Sequence, residues 1–487
     1  MTIDRWISRA GGTATRLSEK KALVFGDTSL TYAEMANEIE ARARALAGAG
    51  IGRGDRIVWY GMNHPEVFFL LFACARIGAI FVPLNWRLAE AEIAGIVENC
   101  SPKLLIHDDH FEQPAKRLIG PRVLAVGEAI GPFAELRQEV SEDDPMLIVY
   151  TSGSTGKPKG VVLSQTALIA NAAMSVDAHR MTPDDVVLNM LPLFHVGGLN
   201  IMPTPAFSIG ATVVIHEKFE PVAGCKALEK VDLAIVVPTV LQAIMATTEW
   251  ANVDLSGLRA LSIGSTDVPI NLIEAVYDRG VPMIQIYGAT ETAPFAIHQR
   301  LEEATTTIGS IGRAGAACSV RLVREDGTDA PDGEPGEIWV SGKNVFGGYW
   351  RDPDDTARAL KGRWFRTGDV AVRDPSGLYW FKDRIKHVII SGGENIYPAE
   401  LERVLRSHPV IAEAAVVGKP DAKWGEVPIA VLVPSAEISK DEIFNLFMGK
   451  LARYKHPKDV IFVEALPRNA MGKVVAAEVR EMIEALT

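Results

Sequence analysis

The stretch Tyr150-Thr151-Ser152-Gly153-Ser154-Thr155-Gly156-Lys157-Pro158-Lys159-Gly160 decides how this sequence is interpreted. It follows an apolar run that predicts a strand at Leu147–Thr151, and a stretch with a helical pattern comes after it. Glycines let backbone N–H groups approach an anion, and hydroxyl and ammonium groups can complete its binding. The composition therefore predicts a phosphate-binding loop. It is not a Walker A loop, because only two residues separate Gly153 from Gly156 and Pro158 stands where that loop needs Ser or Thr.

The sequence on both sides of this loop alternates short apolar runs with helical patterns. Thr31 and Glu34 have the spacing of a capping box at the start of one helix, and Pro65 opens another helix that ends at Gly78. Continuous Val, Ile and Leu runs are typical of strands that are buried on both faces. They predict strands at Arg56–Tyr60, Ala79–Val82, Leu147–Thr151, Val186–Asn189, Thr212–His216, Leu233–Val237, Ala260–Ile263 and Met283–Tyr287. This order of elements predicts an α/β fold with mostly parallel sheets flanked by helices.

The last third of the chain has a different pattern. From about Gly309, short strand-like runs at Ser319–Arg324 and Glu337–Val340 alternate with Gly, Pro and Asp turns, which favours a small β subdomain. A compact α+β unit follows, with helices predicted from near Pro398 and over Asp441–Leu451. Because a single core stops growing near ~250–300 residues, this chain of 487 residues needs at least two domains. We predict a large N-terminal domain over 1–383, which includes the β subdomain, and a small α+β C-terminal domain over 384–487.

Composition excludes several classes of protein. The chain carries 61 acidic and 50 basic residues, a net charge of −11, so it lacks the basic footprint of a nucleic-acid-binding protein. Its longest apolar run, Val67–Ala75, is about half of the ~18–20 residues that a membrane-spanning helix needs. Four cysteines without a C-x-x-C pair exclude a disulfide framework and the usual zinc spacings. A cytoplasmic protein without a transmembrane segment is therefore expected.

Five motifs, in order along nearly the whole chain, resemble those of the acyl-adenylate-forming (AMP-binding) enzymes. That family includes acyl-CoA synthetases, luciferases and the adenylation domains of peptide synthetases. The motifs are the phosphate loop, Tyr287–Thr292, Arg366–Asp369, Asp383–Lys386 running on to Ser391–Asn395, and Pro467–Lys473. The chain is most similar to the stand-alone acyl-CoA synthetases, because the loop at Ser391–Asn395 resembles the CoA ligases more than the peptide synthetases.

The resemblance implies a site for ATP and Mg²⁺. Glu291 would hold the metal and Thr290 would contact a phosphate, since Mg²⁺ binds phosphates through one or two protein carboxylates. Asp369 would accept both ribose hydroxyls, and Arg384 would lie near the ribose or the phosphates, where a planar fork of donors is useful. The residues implied for ATP or AMP are Thr151, Ser152, Gly153, Ser154, Thr155, Gly156, Lys157, Ser265, Tyr287, Gly288, Thr290, Asp369, Arg384 and Lys473.

The implied catalytic residues are Lys473, Thr290, Glu291 and His195. Lys473 would bridge the substrate carboxylate and the α-phosphate. His195, in the segment Leu191–Gly198, would close over or orient the substrate, although the residues alone leave a core histidine equally open. Beside the adenine, Gly264–Asp267 departs from the family's usual Gly-Gly-Ala-Pro-like stretch at three positions.

The second half of the implied reaction uses the C-terminal part of the chain. Lys386 matches the family's hinge position, about which the small domain would rotate between two half-reactions. The residues implied for CoA are Ser391, Gly392, Gly393 and Glu394. The expected partners are a small carboxylic acid, ATP and CoA, with a homodimer left open.

The predicted activity is that of an ATP-dependent acyl-CoA synthetase, which forms acyl-AMP, releases pyrophosphate and passes the acyl group to CoA. The acid is expected to be fatty or aromatic, because the pocket residues implied by the family look apolar. Those residues are Phe194, Val196, Leu199, Ile284, Ala289 and Phe295. The alternatives are an o-succinylbenzoate–CoA or cinnamate-type ligase, a ligase that loads a carrier protein, and a non-catalytic nucleotide-binding protein.

Overall fold

The computed structural model describes residues 2–11, 17–136, 139–151, 158–264, 268–392, 394–469 and 472–486. The chain divides into two compact units. The larger unit comprises Met1–Thr266, Glu274–Val320 and Val340–Arg366, and the smaller unit comprises Asp267–Ile273, Arg321–Trp339 and Thr367–Thr487. The domain boundary predicted between residues 383 and 384 was placed beside a hinge at Lys386, and it stays a prediction.

Helix starts and stops follow the capping signals of the sequence. Thr31 and Glu34 form both hydrogen bonds of the predicted capping box. Pro65 opens the next long helix, which ends at Gly78 in the left-handed region. In the described residues the helices are α1 (Asp4–Gly11), α2 (Tyr32–Gly48), α3 (Pro65–Ile77), α4 (Glu90–Cys100), α5 (Glu112–Lys116), α6 (Gln165–His179), α7 (Val196–Asn200), α8 (Pro203–Ile209), α9 (Pro221–Ala227), α10 (Pro238–Met245), α11 (Ile270–Tyr277), α12 (Pro353–Ala359), α13 (Pro398–Arg406), α14 (Lys440–Asn445) and α15 (Ala476–Leu486).

The strands predicted from apolar runs are present, with ends that differ by a few residues, and the structure adds others. In the described residues they are β1 (Lys21–Phe25), β2 (Thr28–Thr31), β3 (Arg56–Tyr60), β4 (Ile80–Pro83), β5 (Leu104–His107), β6 (Arg122–Ala125), β7 (Pro145–Thr151), β8 (Lys159–Ser164), β9 (Val186–Asn189), β10 (Thr212–Ile215), β11 (Leu233–Val236), β12 (Ala260–Gly264), β13 (Met283–Tyr287), β14 (Ile297–His298), β15 (Arg313–Ala314), β16 (Cys318–Val323), β17 (Pro335–Gly342), β18 (Leu360–Lys361), β19 (Trp364–Arg373), β20 (Tyr379–Arg384), β21 (Ile389–Ser391), β22 (Glu394–Ile396), β23 (Ile411–Asp421), β24 (Gly425–Pro434) and β25 (Asp459–Phe462).

The larger unit contains a sheet that, in the described residues, has nine strands in the order β15-β14-β13-β12-β11-β9-β10-β1-β2. The strands from β13 to β1 in this order are parallel, and antiparallel strands flank them at both edges. Strands β11 and β12 are buried along their whole length, as expected for strands covered on both faces. The α/β prediction is confirmed, and the carboxyl end of β13 lies at the kind of sheet edge where α/β proteins bind ligands.

A second sheet of the larger unit has the order β6-β5-β3-β4-β7-β8 in the described residues. Strands β7 and β8 are antiparallel neighbours, so the predicted phosphate loop joins two strands. The prediction that the loop leads directly into a helix is wrong. Val161, Val162 and Leu163 are β-branched or apolar residues that pair with β7, for example Val162 with Ile148, and helix α6 begins only after Ser164.

The predicted β subdomain corresponds to a third sheet. Its described strands have the order β16-β17-β19-β18, and β20 pairs with β19. Strands β19 and β20 run antiparallel, with Asp369 opposite Arg384 and Arg373 opposite Tyr379. This register places two predicted nucleotide-binding residues side by side.

The smaller unit also contains the α+β part of the chain. Its described strands form the order β22-β21-β24-β23, with β25 parallel to β24. Helix α13 begins at Pro398, as predicted, and buries Leu401 and Leu405 against this sheet's core. The predicted helix over Asp441–Leu451 is wrong in length, because α14 ends at Asn445. Turns follow it, and Gly449 takes a left-handed φ of +74° that does not continue a helix.

Candidate active site

The turn after β13 presents the first group of predicted site residues. Tyr287 ends the strand, and Thr290–Thr292 form a single helical turn. Buried Thr292 fixes this turn, because its hydroxyl accepts a hydrogen bond from the Ala289 N–H at 2.9 Å. Gly288 is required by close approach, since a Cβ there would lie 1.5 Å from the Pro294 carbonyl oxygen. The result is a rigid turn that leaves Thr290 and Glu291 partly exposed.

The Glu291 carboxylate has a partner that the sequence did not point to. The Tyr349 hydroxyl donates to Glu291 Oε1 at 2.8 Å. The Phe346 N–H also donates to the Glu291 carbonyl oxygen, at 2.9 Å. Burial and the neighbouring Glu291 carboxylate raise the pKa of Tyr349, so its hydroxyl stays protonated as a donor at neutral pH. No local pattern links Tyr349 to Glu291, which lies 58 residues earlier.

Strand β8, which follows the predicted phosphate loop, packs beside this turn. Thr151 at the end of β7 pairs with Lys159 at the start of β8, so the two strand ends that flank the loop lie side by side. Lys159 forms an ion pair with Asp355, and its ammonium group lies 5.4 Å from the centre of the Tyr349 ring. The predicted residues that lie outside the described part of the chain are Ser152, Gly153, Ser154, Thr155, Gly156, Lys157, Ser265 and Gly393.

His195 precedes helix α7 in an extended conformation. Its backbone carbonyl accepts the first helical hydrogen bond, from the Leu199 N–H at 2.9 Å. The residue is partly exposed, which argues against the alternative of a fully buried core histidine. Among the six residues expected to line an acyl pocket, Leu199, Ile284 and Phe295 have no exposed surface. Their burial makes them part of the core of the larger unit.

The smaller unit brings Asp369 and Arg384 together. Their side chains meet across strands β19 and β20, with 3.1 Å between Arg384 Nε and Asp369 Oδ1. Asp369 follows a turn at Gly368, whose N–H donates to Glu337 Oε1 at 3.1 Å. The Thr367 hydroxyl donates to the Ile338 carbonyl oxygen at 2.7 Å. Strand β17 therefore positions the turn, and Glu337 is a contributor that the sequence analysis missed.

The Lys473 ammonium group interacts electrostatically with both Arg384 and Asp369. Its N–H donates to the Asn469 side chain at 3.0 Å, and Asn469 returns a backbone hydrogen bond to the Lys473 carbonyl oxygen. Burial of the ammonium group, together with Arg384 and against a partial opposing effect of Asp369, lowers the pKa of Lys473 to about 8. Burial and the charge of Arg384 also lower the pKa of Lys386, against an opposing effect of Asp369. Four predicted residues of the smaller unit thus share one cluster of charges.

Two antiparallel strands of the smaller unit, β21 and β22, flank the predicted CoA loop. Ser391 on β21 pairs with Glu394 on β22. Gly392 takes a φ of +62°, and a Cβ at this position would lie 2.7 Å from the Trp424 ring. The Gly392 N–H donates to the Trp424 carbonyl oxygen at 2.7 Å. Both the backbone conformation and the neighbouring ring therefore require glycine here.

Comparisons with known proteins identify the family of this chain. The AMP-binding enzyme family matches residues 12–350, and the AMP-binding enzyme C-terminal domain matches residues 400–473. The chain belongs to the AMP-binding enzyme family. It is 43% identical to an indoleacetate–CoA ligase of Aromatoleum aromaticum over 99% of this chain and 98% of that protein. It is 40% identical to a feruloyl-CoA synthase of an Amycolatopsis species, over 94% of this chain and 95% of that protein.

A solved structure supports the same assignment. The o-succinylbenzoate coenzyme A synthetase of Bacillus subtilis, in complex with ATP and magnesium ion, matches with a TM-score of 0.88 at 30% identity. The match covers 97% of this chain and 98% of that one. This AMP-binding enzyme is therefore an AMP-forming acid–CoA ligase, with ATP and CoA as co-substrates. None of the helices in the described part of the chain has the length and apolar character that crossing a bilayer requires.

The residues of this AMP-binding enzyme also fit a magnesium ion. In the described residues there is no group of three or more His, Cys, Asp or Glu side chains that could enclose a metal. Mg²⁺ bound to a nucleotide does not need such a group, because one or two carboxylates and the phosphate oxygens suffice. Glu291 offers one partly exposed carboxylate, which Tyr349 links to Lys159 at the start of β8. That donor set suits a nucleotide-bound Mg²⁺.

Proposed function

We propose that this acid–CoA ligase activates a carboxylic acid that carries an aromatic ring. The observation that supports this is the 43% identity, along 99% of the chain, to a protein named for indoleacetate. The feruloyl and o-succinylbenzoate enzymes are also named for acids with an aromatic ring. The sequence predicts a fatty or an aromatic acid as substrate, and this proposal selects the aromatic class.

The first half-reaction needs positioning and charge stabilisation more than proton transfer. A carboxylate is already ionised at pH 7, with a pKa near ~4–5 by analogy with Glu, so no general base is needed. One carboxylate oxygen bonds to the α-phosphorus of ATP while the bond to pyrophosphate breaks. We propose that Lys473 orients that carboxylate and offsets the negative charge on the phosphorus oxygens. Asp369 and Arg384 would hold the ribose and the phosphates.

We propose Glu291 as the ligand of a nucleotide-bound Mg²⁺, with Thr290 and the loop from Thr151 to Lys157 on the phosphates. When bound, Mg²⁺ neutralises phosphate charge. Around the rest of the nucleotide we place Tyr287, Gly288 and Ser265. His195 would orient the acid. These assignments rest on the motifs and on the rigid turn that presents Glu291.

In the second half-reaction the CoA sulfur attacks the acyl carbonyl carbon and AMP leaves with the bridging oxygen. We propose that Ser391, Gly392, Gly393 and Glu394 bind CoA. The small domain over 384–487 would rotate about Lys386 between the two steps, because one arrangement cannot serve both. We also propose a cytoplasmic location, since the four cysteines are free thiols. A homodimer stays a prediction that sedimentation can test.

An acid panel tests the proposed substrate class. Purified enzyme with ATP, Mg²⁺ and CoA is assayed for CoA-dependent AMP release with indole-3-acetate, ferulate, 2-succinylbenzoate, decanoate and malonate. Burying an aromatic ring contributes about 1.5–3 kcal/mol, so the best aryl acid should exceed malonate by about 10- to 100-fold in kcat/KM. Decanoate is the matched apolar control without a ring. A higher kcat/KM for decanoate than for every aryl acid would overturn the aromatic assignment, and AMP release without CoA would favour a different acceptor.

A further inference from the structure

The segment Phe346–Trp350 holds Glu291 at two points. The Phe346 N–H donates to the Glu291 carbonyl oxygen at 2.9 Å, and the Tyr349 hydroxyl donates to Glu291 Oε1 at 2.8 Å. The first bond fixes the backbone of the turn after β13. The second fixes the direction of the carboxylate, because it is a hydrogen bond to a charged group with good geometry.

This segment is itself attached to the strand that leaves the predicted phosphate loop. The Gly347 N–H donates to the Val162 carbonyl oxygen at 3.0 Å, and the Val162 N–H donates to the Gly348 carbonyl oxygen at 3.1 Å. The Trp350 N–H donates to the Gly160 carbonyl oxygen at 2.7 Å. The segment therefore runs along β8, with an isolated antiparallel bridge between Tyr349 and Val161. It connects the base of the phosphate loop with the carboxylate of Glu291.

The Tyr349 side chain has little freedom to turn away from Glu291. Its own N–H donates to the Thr356 hydroxyl at 2.8 Å, which fixes the backbone. Its ring packs edge-on against Phe346 with 5.0 Å between ring centres. On another side the Lys159 ammonium group lies 5.4 Å from the ring centre, as in a cation–π contact. Ring and backbone thus aim the hydroxyl at one carboxylate oxygen.

We propose that Tyr349 is a positioning residue for magnesium binding, which acts by orienting the Glu291 carboxylate toward the nucleotide. The inference rests on the proposed metal role of Glu291. Carboxylates that bind metals are commonly oriented by hydrogen bonds of their own, and loss of such a partner weakens metal binding by about 10- to 100-fold. The hydroxyl leaves the charge of Glu291 in place and restricts its rotation. The Tyr349 hydroxyl is therefore expected to increase the affinity of the site for the metal.

The test compares Tyr349→Phe with Tyr277→Phe in the full-length enzyme. Tyr349→Phe keeps the ring contacts and removes only the hydroxyl. Tyr277→Phe is a matched control in the same unit, because the Tyr277 hydroxyl donates to the Ala304 and Met283 carbonyl oxygens at 2.7 and 3.2 Å. Binding of Mn²⁺ in the presence of a non-hydrolysable ATP analogue is measured by electron paramagnetic resonance. The Mg²⁺ concentration for half-maximal pyrophosphate exchange and the thermal midpoint are measured on the same preparations.

We expect Tyr349→Phe to weaken Mn²⁺ binding and raise the half-maximal Mg²⁺ concentration by about tenfold, while Tyr277→Phe changes neither. Glu291→Gln serves as the reference. If Glu291→Gln shifts both values and Tyr349→Phe shifts neither, the positioning role is wrong and the metal role stands. If Glu291→Gln itself leaves Mn²⁺ binding unchanged, the metal role is wrong and the inference fails with it. Equal shifts in Tyr349→Phe and Tyr277→Phe would assign the effect to general loosening of the larger unit. That result would also overturn the positioning role of Tyr349.

Discussion

The turn at Glu291 and the cluster around Lys473 present their charges by different physical means. In the larger unit, Glu291 is held by two hydrogen bonds from neutral donors, on a turn between strands. In the smaller unit, Asp369, Arg384 and Lys473 influence one another electrostatically, and the pKa of Lys473 falls to about 8. The comparison indicates that hydrogen-bond geometry sets the direction of the charge in the first region, whereas burial and neighbouring charges set the protonation of Lys473 in the second.

The largest expected effect comes from removing the ammonium group of that second region. Lys473→Ala should lower the rate of acyl-AMP formation by about 10²- to 10³-fold, since it removes charge stabilisation of the transition state. It should spare thioester formation from supplied acyl-AMP. Pyrophosphate exchange and thioester synthesis are measured separately. Lys440→Ala is the control, because Lys440 forms an exposed ion pair with Asp459 in the same unit. Equal losses in both half-reactions of a folded Lys473→Ala enzyme would contradict the assigned role.

The next prediction asks whether the smaller unit must move. Proline fixes φ near ~−65° and restricts the preceding residue, so Lys386→Pro should stop a rotation about this position. Adenylation should stay close to normal while CoA-dependent turnover is suppressed. Lys386→Ala, which removes the ammonium group and keeps backbone freedom, should do much less. Unchanged thioester formation in the proline variant would leave the hinge, and with it the boundary near 384, without support.

A smaller effect is expected at the CoA loop. The left-handed conformation costs a residue with a Cβ about 1–2 kcal/mol, and Gly392 also contacts Trp424. Gly392→Ala should therefore raise KM for CoA by about 5- to 30-fold and leave pyrophosphate exchange unchanged. Gly449→Ala introduces the same kind of strain at a φ of +74° elsewhere in the unit, with open space around its Cβ. If both variants change KM for CoA equally, the loop does not bind CoA.

The smallest expected effect near neutral pH, about twofold at pH 8, is a pH dependence that distinguishes the two regions. In the role proposed for Lys473 the charged form is the active one, and the fraction of that form falls as pH rises through about 8. The kcat/KM for ATP should therefore be about half of its plateau value at pH 8 and should decline about tenfold per unit well above it. Lys473→Arg keeps a charged group and should lose this basic limb, at a lower overall rate. A wild-type profile that is flat to pH 10 would contradict the lowered pKa.

The sequence predicts the two regions unequally well. Asp369, Arg384 and Lys473 lie in short motifs, and the hairpin of β19 and β20 brings the first two together because their strands are adjacent in the chain. Glu291 is found by the same means. Its partner Tyr349 is not, because 58 residues separate them and only the pairing of Phe346–Trp350 with β8 brings them into contact. Long-range contacts of this kind follow from topology, which local patterns do not specify.

The errors in predicting the fold also have local causes. The run after the phosphate loop contains Val161 and Val162, whose preference for strands and whose pairing with β7 outweigh the helical pattern that follows. The helix predicted over Asp441–Leu451 is shortened because Gly449 adopts a left-handed conformation close to its expected end. In the first case a whole strand was missed, and in the second the helix was found with the wrong end. The ends depended on single residues.

The most direct test of the account follows oxygen atoms through the reaction. Indole-3-acetate labelled with ¹⁸O in its carboxylate is incubated with enzyme, ATP, Mg²⁺ and CoA, and the nucleotide and pyrophosphate are analysed by mass spectrometry. Attack of a carboxylate oxygen on the α-phosphorus predicts one labelled oxygen in AMP and none in pyrophosphate, in amounts equal to the acyl-CoA formed. Acyl-CoA formation with unlabelled AMP, or with label in inorganic phosphate, would contradict an acyl-AMP intermediate.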